Sequence, residues 1–437
     1  MDIDNATLHD LDIFGRNENE TILHLLDFTR TIDGKETLKK KFSEPFGTME
    51  EIIESQEVIK AFIKILPQFP ETITNGTAMV LDKYYTAPVS TIPQGTGAVN
   101  SFIYKIFSRT DYTIIRYSMK HFIDFIKGMF ELLRLLPDEQ YAKPLQSVLN
   151  EIKKLLNKPT YQKIDQFSKG YKPSPSENLS LAAFFNHNKL NVQALQDLFY
   201  TIDAWYSLAK ATVEHNFHFP EIVASETPLI IAGNLYHPLV ENAVSYNFSL
   251  DEKNNFLFLT GANMAGKSTF IRAVGISVYM ASLGMGVPAN AMQMSCFDGL
   301  LSNIDISDNT MKGESYFFNE VQRIKTTVAK IQNGKKWLIL IDELFKGTNI
   351  QDAMKCSTTV IEGLRKVKSS LFILSTHLYE IGENLKKYSN IQFRYFETEV
   401  KDDNLIFSYQ LKEGISNDRL GYLILRREKV TDMLDKL

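Results

Sequence analysis

The spacing of apolar residues changes about halfway along the chain. In the first half they recur three and four positions apart in residues 37–42 and 49–66, and they dominate the long breaker-poor segment 114–136; both patterns predict helices. In the second half, residues 256–259, 337–341 and 371–374 are short, continuously apolar runs. Runs of that kind are typical of parallel strands buried on both faces. The pattern predicts a helical region followed by an α/β region.

Breaker residues divide these regions further. Residues 87–97 and 169–175 are rich in Gly, Pro and Ser and are predicted to be loops between helices. The α/β part begins near Pro228. We therefore predict two domains, residues 1–225 and residues 226–437. We find no internal repeat and no long heptad arm, which disfavours a coiled-coil chromosome-maintenance ATPase.

Charge gives a limited indication of nucleic-acid binding. The 437 residues have a formal net charge of −4, whereas a protein that coats DNA carries a clear basic excess. Residues 101–170 contain twelve Lys and Arg against seven Asp and Glu. Lys153, Lys154 and Lys158 would share one face of a helix. The run is either a solvated helical face or a patch that contacts DNA phosphates.

The chain lacks the signs of an extracytoplasmic protein. Cys296 and Cys356 are far apart, which fits a reducing compartment. The start has no apolar signal region, and no apolar stretch reaches membrane-spanning length. We expect a cytoplasmic protein with no membrane partner.

A phosphate-binding motif follows the first apolar run. Its residues fit G-x-x-x-x-G-K-[ST] and are Gly261, Ala262, Asn263, Met264, Ala265, Gly266, Lys267 and Ser268, with Thr269 next. Glycines in such a loop let backbone N–H groups surround phosphates, Lys267 would reach the β and γ oxygens, and Ser268 would bind Mg²⁺. A helix is expected directly after the loop, with its positive N-terminal end facing the anion.

Two further side-chain groups follow the next apolar runs. Asp342 and Glu343 end the second run, where Asp342 would hold Mg²⁺ and Glu343 would act on the attacking water. Capping of a following helix is the simpler explanation, and the phosphate loop in the same chain favours catalysis. His377 follows the third run and would lie at the carboxyl end of its strand, near the γ-phosphate or the water.

Together these segments resemble the ATPase domain of the MutS family of DNA mismatch repair proteins. The resemblance is carried by residues 260–269 (TGANMAGKST), 342–352 (DELFKGTNIQD) and 375–377 (STH). Asn263-Met264 and Gly347-Thr348 are not required of phosphate loops in general, which makes it specific. It implies an all-α core and lever region over residues 1–225 and an α/β ABC-type P-loop ATPase domain over residues 226–437.

The resemblance also implies cofactors and a partner. ATP and Mg²⁺ would bind at the motifs above, and residues 308–320 are similar to a family segment that approaches the nucleotide of the other subunit. Gly313 and Ser315 would act in trans in a homodimer with composite ATP sites. Tyr316 and Asn309 depart from the family pattern there. For the aromatic residue that stacks on adenine, Phe248 and Tyr246 are the candidates.

The function implied is an ATPase whose nucleotide cycle controls DNA binding in mismatch repair or recombination-related DNA maintenance. Residues 11–38 resemble the start of the family's helical core, so we expect the chain to lack the mismatch-reading domain and to act on distorted or branched DNA. The alternative is a nucleotide-switched module that docks on a longer family member. A transporter subunit is disfavoured because the Leu-Ser-Gly-Gly-Gln signature is not found, and a small-molecule kinase would not need Gly313-Glu314-Ser315.

Overall fold

The fold is taken from a computed structural model that describes residues 1–15, 20–87, 97–137, 140–304, 316–401, 404–416 and 430–434. The chain forms two compact units. The α/β unit comprises Met1–Leu25, Glu44–Ile53 and Glu214–Leu437, and the helical unit comprises Leu26–Ser43 and Glu54–Val213.

Helices account for the regular structure of the helical unit and flank the sheets of the α/β unit. They are α1 (Asn5–Asp10), α2 (Ile22–Leu26), α3 (Ile32–Phe42), α4 (Met49–Ile65), α5 (Asn75–Tyr84), α6 (Ala98–Phe107), α7 (Arg109–Leu135), α8 (Lys143–Leu156), α9 (Pro159–Asp165), α10 (Pro175–His187), α11 (Lys189–Glu214), α12 (Lys267–Ser282), α13 (Tyr316–Ile331), α14 (Ile350–Leu364), α15 (Tyr379–Leu385) and α16 (Val430–Leu434), with a 3-10 helix at Leu66–Gln68.

The strands form two sheets. They are β1 (Asp2–Ile3), β2 (Glu221–Val223), β3 (Ile230–Leu235), β4 (Tyr246–Leu250), β5 (Phe256–Thr260), β6 (Ala291–Ser295), β7 (Gly299–Asn303), β8 (Trp337–Asp342), β9 (Ser370–Ser375), β10 (Ile391–Lys401) and β11 (Asn404–Glu413). The larger sheet has the order β1-β7-β8-β9-β5-β10-β11 and is parallel except for the β10–β11 hairpin. The smaller has the order β2-β6-β3-β4.

The three apolar runs are the central strands of the larger sheet. Every residue of β5, β8 and β9 is buried, as expected for parallel strands covered on both faces. The register places Leu259 beside Ser375 and Asp342 beside Ser375, so the three strands end at one level. The residues that follow them in sequence therefore meet at one edge of the sheet.

The first residues of the chain belong to the α/β unit. Asp2 and Ile3 pair with Gly299 and Leu300 at the edge of the larger sheet. The hydroxyl of Thr7 accepts a hydrogen bond from the Ser302 N–H at 2.9 Å. The sequence predicts one domain over residues 1–225, whereas Met1–Leu25 and Glu44–Ile53 belong to the α/β unit. A two-residue strand is too short to show a period in the sequence.

In the part that the structure describes, the helical unit has an aromatic core and one buried carboxylate, that of Asp203. Phe62, Phe122, Phe125, Phe185 and Phe199 are at most 1% exposed. The predicted helices over 49–66 and 114–136 are present as α4 and α7. The predicted loop over 169–175 precedes α10, and most of the loop over 87–97 lies outside the described residues.

The expected helical face with Lys153, Lys154 and Lys158 is wrong. Helix α8 ends at Leu156, and Lys158 is the cap before α9. Pro159 explains the break, because proline disfavours a helical conformation in the residue before it.

Among the described residues, no helix is long and apolar enough to cross a membrane.

Candidate ATPase site

The loop between β5 and α12 has the backbone that its glycines allow. Gly261 and Gly266 have φ angles of 142° and 107°, and Met264 has 67°. A Cβ atom at Gly261 would lie 3.1 Å from the Phe396 carbonyl oxygen, so the position also has little room for a side chain. Left-handed conformations of this kind are accessible to glycine at little cost. The predicted helix begins at Lys267, directly after the loop.

Lys267 is held inside the loop. Its Nζ donates hydrogen bonds of 2.9 Å to the carbonyl oxygens of Gly261 and Ala262. The side chain is 5% exposed, and burial lowers its pKa, while the nearby carboxylates of Glu343 and Asp342 oppose that change. The ammonium has carbonyl acceptors and nearby carboxylates, and an anion bound in the loop would pair with it directly. A phosphate would be such an anion.

Ser268, Asp342 and Ser375 form one hydrogen-bonded group. The Ser268 hydroxyl donates to Asp342 Oδ2 at 2.5 Å, and the Ser375 hydroxyl donates to Asp342 Oδ1. Asp342 is 8% exposed. Mg²⁺ takes oxygen ligands and is commonly held by one or two protein groups together with phosphate and water. The hydroxyl of Ser268 and the carboxylate of Asp342 fit that requirement.

Glu343 is directed toward His377 and Lys346. Its Oε1 lies 2.6 Å from His377 Nε2, and its Oε2 lies 3.2 Å from Lys346 Nζ. Burial alone would raise the pKa of Glu343, but these two neighbours outweigh burial and lower the pKa to about 2. The carboxylate is therefore ionised at neutral pH. Its backbone φ of 61° is unusual for a residue with a side chain.

A cavity of about 560 Å³ adjoins the loop. Its lining includes Ser268, Thr269, Arg272 and Asp342, as well as His237 and Asp12. Arg272 Nη1 lies 2.6 Å from Asp12 Oδ2. Asp12 and Arg272 had no predicted role in the sequence, because the 260 positions between them leave no local pattern.

The predicted site residues have three outcomes. Lys267, Ser268, Asp342, Glu343 and His377 are brought together by the contacts described above. Asn263 and Met264 are exposed on the loop, while Ala262 and Ala265 are buried. Gly313 and Ser315 lie outside the described residues.

The two candidates for adenine stacking lie close to α12. Tyr246 is 5% exposed, and its ring centroid lies 5.2 Å from that of Phe270 and 5.7 Å from that of Phe396. Phe248 is half-buried, with its ring centroid 5.4 Å from that of Phe270. Tyr246 is thus already packed between two rings, and Phe248 is the more accessible of the two.

Comparison with known proteins agrees with this geometry. Residues 257–432 match the family model for MutS domain V. Over these residues the chain is similar to the MutS family. Residues 257–432 include all but the first residue of β5, together with the loop after it, Asp342, Glu343 and His377, so the matched region contains the assembled side chains.

The MutS proteins that it resembles are much longer. It is 31% identical to the DNA mismatch repair protein MutS of Anaplasma phagocytophilum over 223 residues, which are 50% of this chain and 27% of that protein. It is 30% identical to the protein of the same name from Thermotoga maritima over 250 residues, 56% of this chain and 31% of that protein. The matched region thus spans less than a third of each of these two relatives.

Proposed function

We propose that this chain binds and hydrolyses Mg²⁺-bound ATP and that its nucleotide cycle controls binding to DNA. The observation that carries the proposal is the convergence of Lys267, Ser268, Asp342, Glu343 and His377 at the ends of β5, β8 and β9. A phosphate-binding loop, a pair of oxygen ligands and an ionised carboxylate are the parts that phosphoryl transfer to water requires.

The binding step uses the loop and the residues at the start of α12. Loop amides and the Lys267 ammonium hold the β and γ phosphates, and Ser268 and Asp342 hold Mg²⁺. Bound Mg²⁺ would neutralise charge that develops on the phosphate oxygens. Ser375 fixes the orientation of the Asp342 carboxylate, since it donates to the oxygen that Ser268 does not use.

The chemical step transfers the γ-phosphoryl group to water. The water oxygen forms a bond to the γ-phosphorus while the bond to the β–γ bridging oxygen breaks, giving ADP and phosphate. Glu343 orients the water and receives its proton. Its lowered pKa keeps the carboxylate ionised, so it is available as the proton acceptor. His377 lies beside Glu343 and would contact the γ-phosphate or the water.

We propose a homodimer for the complete site. The resemblance to the family implies that Gly313 and Ser315 of one subunit would approach the nucleotide of the other. An ATP-dependent change in dimerisation would then close the composite sites. Sedimentation with and without a slowly hydrolysed ATP analogue tests it.

A basic groove in the helical unit supports a DNA partner. The groove has a volume of about 1540 Å³. Its cationic side chains are Lys105, Arg116, Lys120, Lys127, Arg134, Lys169 and Lys172, against Glu71, Asp124 and Glu131. Arg134 is paired with Asp165 at 2.9 Å, which reduces its share of the positive charge. Tyr117 also lines the groove and is 58% exposed, so it could contact an unstacked base.

We propose that the DNA substrate is distorted or branched and that the pathway is mismatch repair or recombination-related maintenance. The relatives are named as DNA mismatch repair proteins, which supports a role in DNA repair. The near-neutral charge of the chain favours the alternative that the nucleotide switch controls docking on another protein.

Steady-state ATP hydrolysis tests the proposal. The purified chain is assayed alone and with duplex, mismatched and four-way-junction DNA, and Glu343→Ala serves as the inactive variant. DNA-coupled hydrolysis requires that one DNA form changes the turnover number and that Glu343→Ala abolishes turnover. Turnover that no DNA form alters would support the protein-docking alternative instead. Turnover that persists in Glu343→Ala would come from a contaminant or another site.

A further inference from the structure

A nearly buried carboxylate lies on α13, outside the residues so far assigned to the site. Glu320 is 2% exposed. Its Oε1 accepts a hydrogen bond from the Lys346 N–H at 3.1 Å, and its Oε2 faces the Gly347 N–H at 3.4 Å. Both oxygens are thus directed at the turn that follows Glu343. Acidic side chains are seldom buried unless they have partners, so this arrangement calls for an explanation.

The turn at residues 343–347 has a strained backbone. Glu343 and Phe345 have φ angles of 61° and 60°, although neither is a glycine. Left-handed conformations of such residues cost energy and persist where surrounding groups hold them. Glu320 supplies acceptors for the backbone N–H groups of this turn. Phe317, one helical turn earlier on α13, has its ring centroid 5.6 Å from that of Phe345.

The same turn aims the side chains of the chemical step. Lys346 receives the backbone contact of Glu320 on its N–H, and its Nζ lies 3.2 Å from Glu343 Oε2. Lys346 therefore links Glu320 on α13 to Glu343. Its N–H is hydrogen-bonded to Glu320, and its Nζ is ion-paired with Glu343. In the part of the chain that the structure describes, the hydrogen bonds of Glu320 go to this turn and not to Lys267, Ser268 or Asp342, the groups proposed to bind nucleotide and metal.

We propose that Glu320 is a positioning residue for ATP hydrolysis, which fixes the turn carrying Lys346 and thereby the carboxylate of Glu343. The inference rests on the proposed function. Burial raises the pKa of Glu320, and the backbone N–H groups of Lys346 and Gly347 oppose that effect. Both N–H groups need an acceptor. An ionised carboxylate accepts at both oxygens, whereas a protonated one would place its O–H opposite an N–H.

The variant that tests this role is Glu320→Gln. It keeps the size of the side chain and replaces one acceptor oxygen by an NH₂ group, which faces a backbone donor. We expect the turnover number to fall at least tenfold, with the dissociation constant for ATP changed less than threefold. Gln322→Ala is the matched control, since Gln322 is exposed on the same helix. Thermal unfolding of each variant monitors the fold.

A double-mutant cycle separates positioning from general structural support. Single-turnover rates are measured for Glu320→Gln, for Glu343→Asp, which keeps a carboxylate and is expected to leave a slow but measurable rate, and for the double variant. If Glu320 acts through Glu343, Glu320→Gln costs tenfold in the wild-type background and less than twofold when Glu343 is already replaced. Equal losses in both backgrounds would overturn the inference, as would a parallel loss of ATP binding and melting temperature.

The outcomes distinguish the two proposals. If the wild-type chain hydrolyses ATP and Glu320→Gln turns over within twofold of it, only the positioning role fails. If the wild-type chain binds but does not hydrolyse ATP, the proposed function fails and the role of Glu320 fails with it.

Discussion

At the residue scale, His237 is a buried imidazole beside the phosphate-loop helix. It is 6% exposed, and its Nδ1 accepts a hydrogen bond from the Leu239 N–H at 3.3 Å. Burial lowers its pKa from 6.5 to about 4, and the positive charge of Arg272 adds to the effect. The folded chain therefore keeps His237 neutral over a pH range in which the unfolded chain protonates it.

This shift predicts a loss of stability in acid. Because the folded pKa is lower than the unfolded one, the contribution of His237 is complete above pH 6.5 and is lost as the pH falls toward 4. The loss attributable to this residue is at most about 3 kcal/mol. We expect His237→Asn, which does not titrate, to show a shallower decline of unfolding free energy between pH 6.5 and 4.5 than the wild type. Urea unfolding at several pH values measures it, and parallel declines would contradict the assignment.

A second prediction at this scale concerns the basic groove. Arg116→Glu should weaken DNA binding and reduce the slope of log affinity against log salt by about one, because one phosphate contact is lost. Lys39→Glu is the control, since Lys39 is exposed on α3 and does not line the groove. Fluorescence anisotropy at a series of salt concentrations measures both. Equal weakening by the two variants would mean that net charge matters and the groove does not.

Site residues differ in how far sequence can predict them. Lys267, Ser268, Asp342 and Glu343 stand in short segments at the ends of apolar runs, so local pattern is sufficient to predict their positions. Glu320 is part of a segment that was noted for its resemblance, yet nothing local shows that its carboxylate meets the backbone 26 positions later. Long-range polar contacts leave no periodic signal and become visible only in the fold.

At the element scale, Asp203 connects α11 with the start of α3. It is fully buried and accepts hydrogen bonds from the Arg30 and Thr31 backbone N–H groups at 2.9 and 3.0 Å, and from the Thr31 hydroxyl at 2.7 Å. The close approach leaves no room at Gly34, where a Cβ atom would lie 2.1 Å from Asp203 Oδ2. One side chain thus fixes two helices of the helical unit.

Loss of this carboxylate should destabilise the helical unit. Asp203→Ala leaves buried backbone donors without acceptors, and we expect it to cost about 2–4 kcal/mol. Asp197→Ala is the control, because Asp197 is exposed on the same helix. Urea unfolding and limited proteolysis report the change. A loss below about 0.5 kcal/mol for Asp203→Ala would show that water or neighbouring groups replace the carboxylate.

An element can be predicted when its own residues specify it, and it is missed when distant residues decide. The central strands β5, β8 and β9 are continuous apolar runs, and burial on both faces demands that composition. Strand β1 has two residues and is a strand only because it pairs with Gly299 and Leu300, nearly 300 positions away. The end of α8 depended on Pro159, whose effect on Lys158 outweighed the spacing of the lysines.

At the scale of the whole molecule, the α/β unit is assembled from three separate stretches of chain. Asp4 carboxylate oxygens lie 2.5 and 3.1 Å from the guanidinium of Arg323, and Asp12 is paired with Arg272. Phe46 donates its N–H to the Ser282 carbonyl at 2.9 Å. A division at residue 225 would therefore separate groups that the fold joins. Strand β2 also precedes that position and pairs with β6.

This assembly predicts how the chain can be dissected. Residues 1–25 joined by a flexible linker to residues 214–437 should melt several degrees above residues 214–437 alone, because they restore β1 and the Asp4–Arg323 and Asp12–Arg272 pairs. Both polypeptides lack residues 44–53, so that loss cancels in the comparison.

Residues 226–437 should be less stable still, because the four-stranded sheet loses β2 at its edge. Differential scanning calorimetry measures the three midpoints. If residues 214–437 melt at the same temperature with and without residues 1–25, the N-terminal contacts add nothing to the stability of the α/β unit. Residues 1–25 would then contribute to nucleotide binding at the cavity that Asp12 lines.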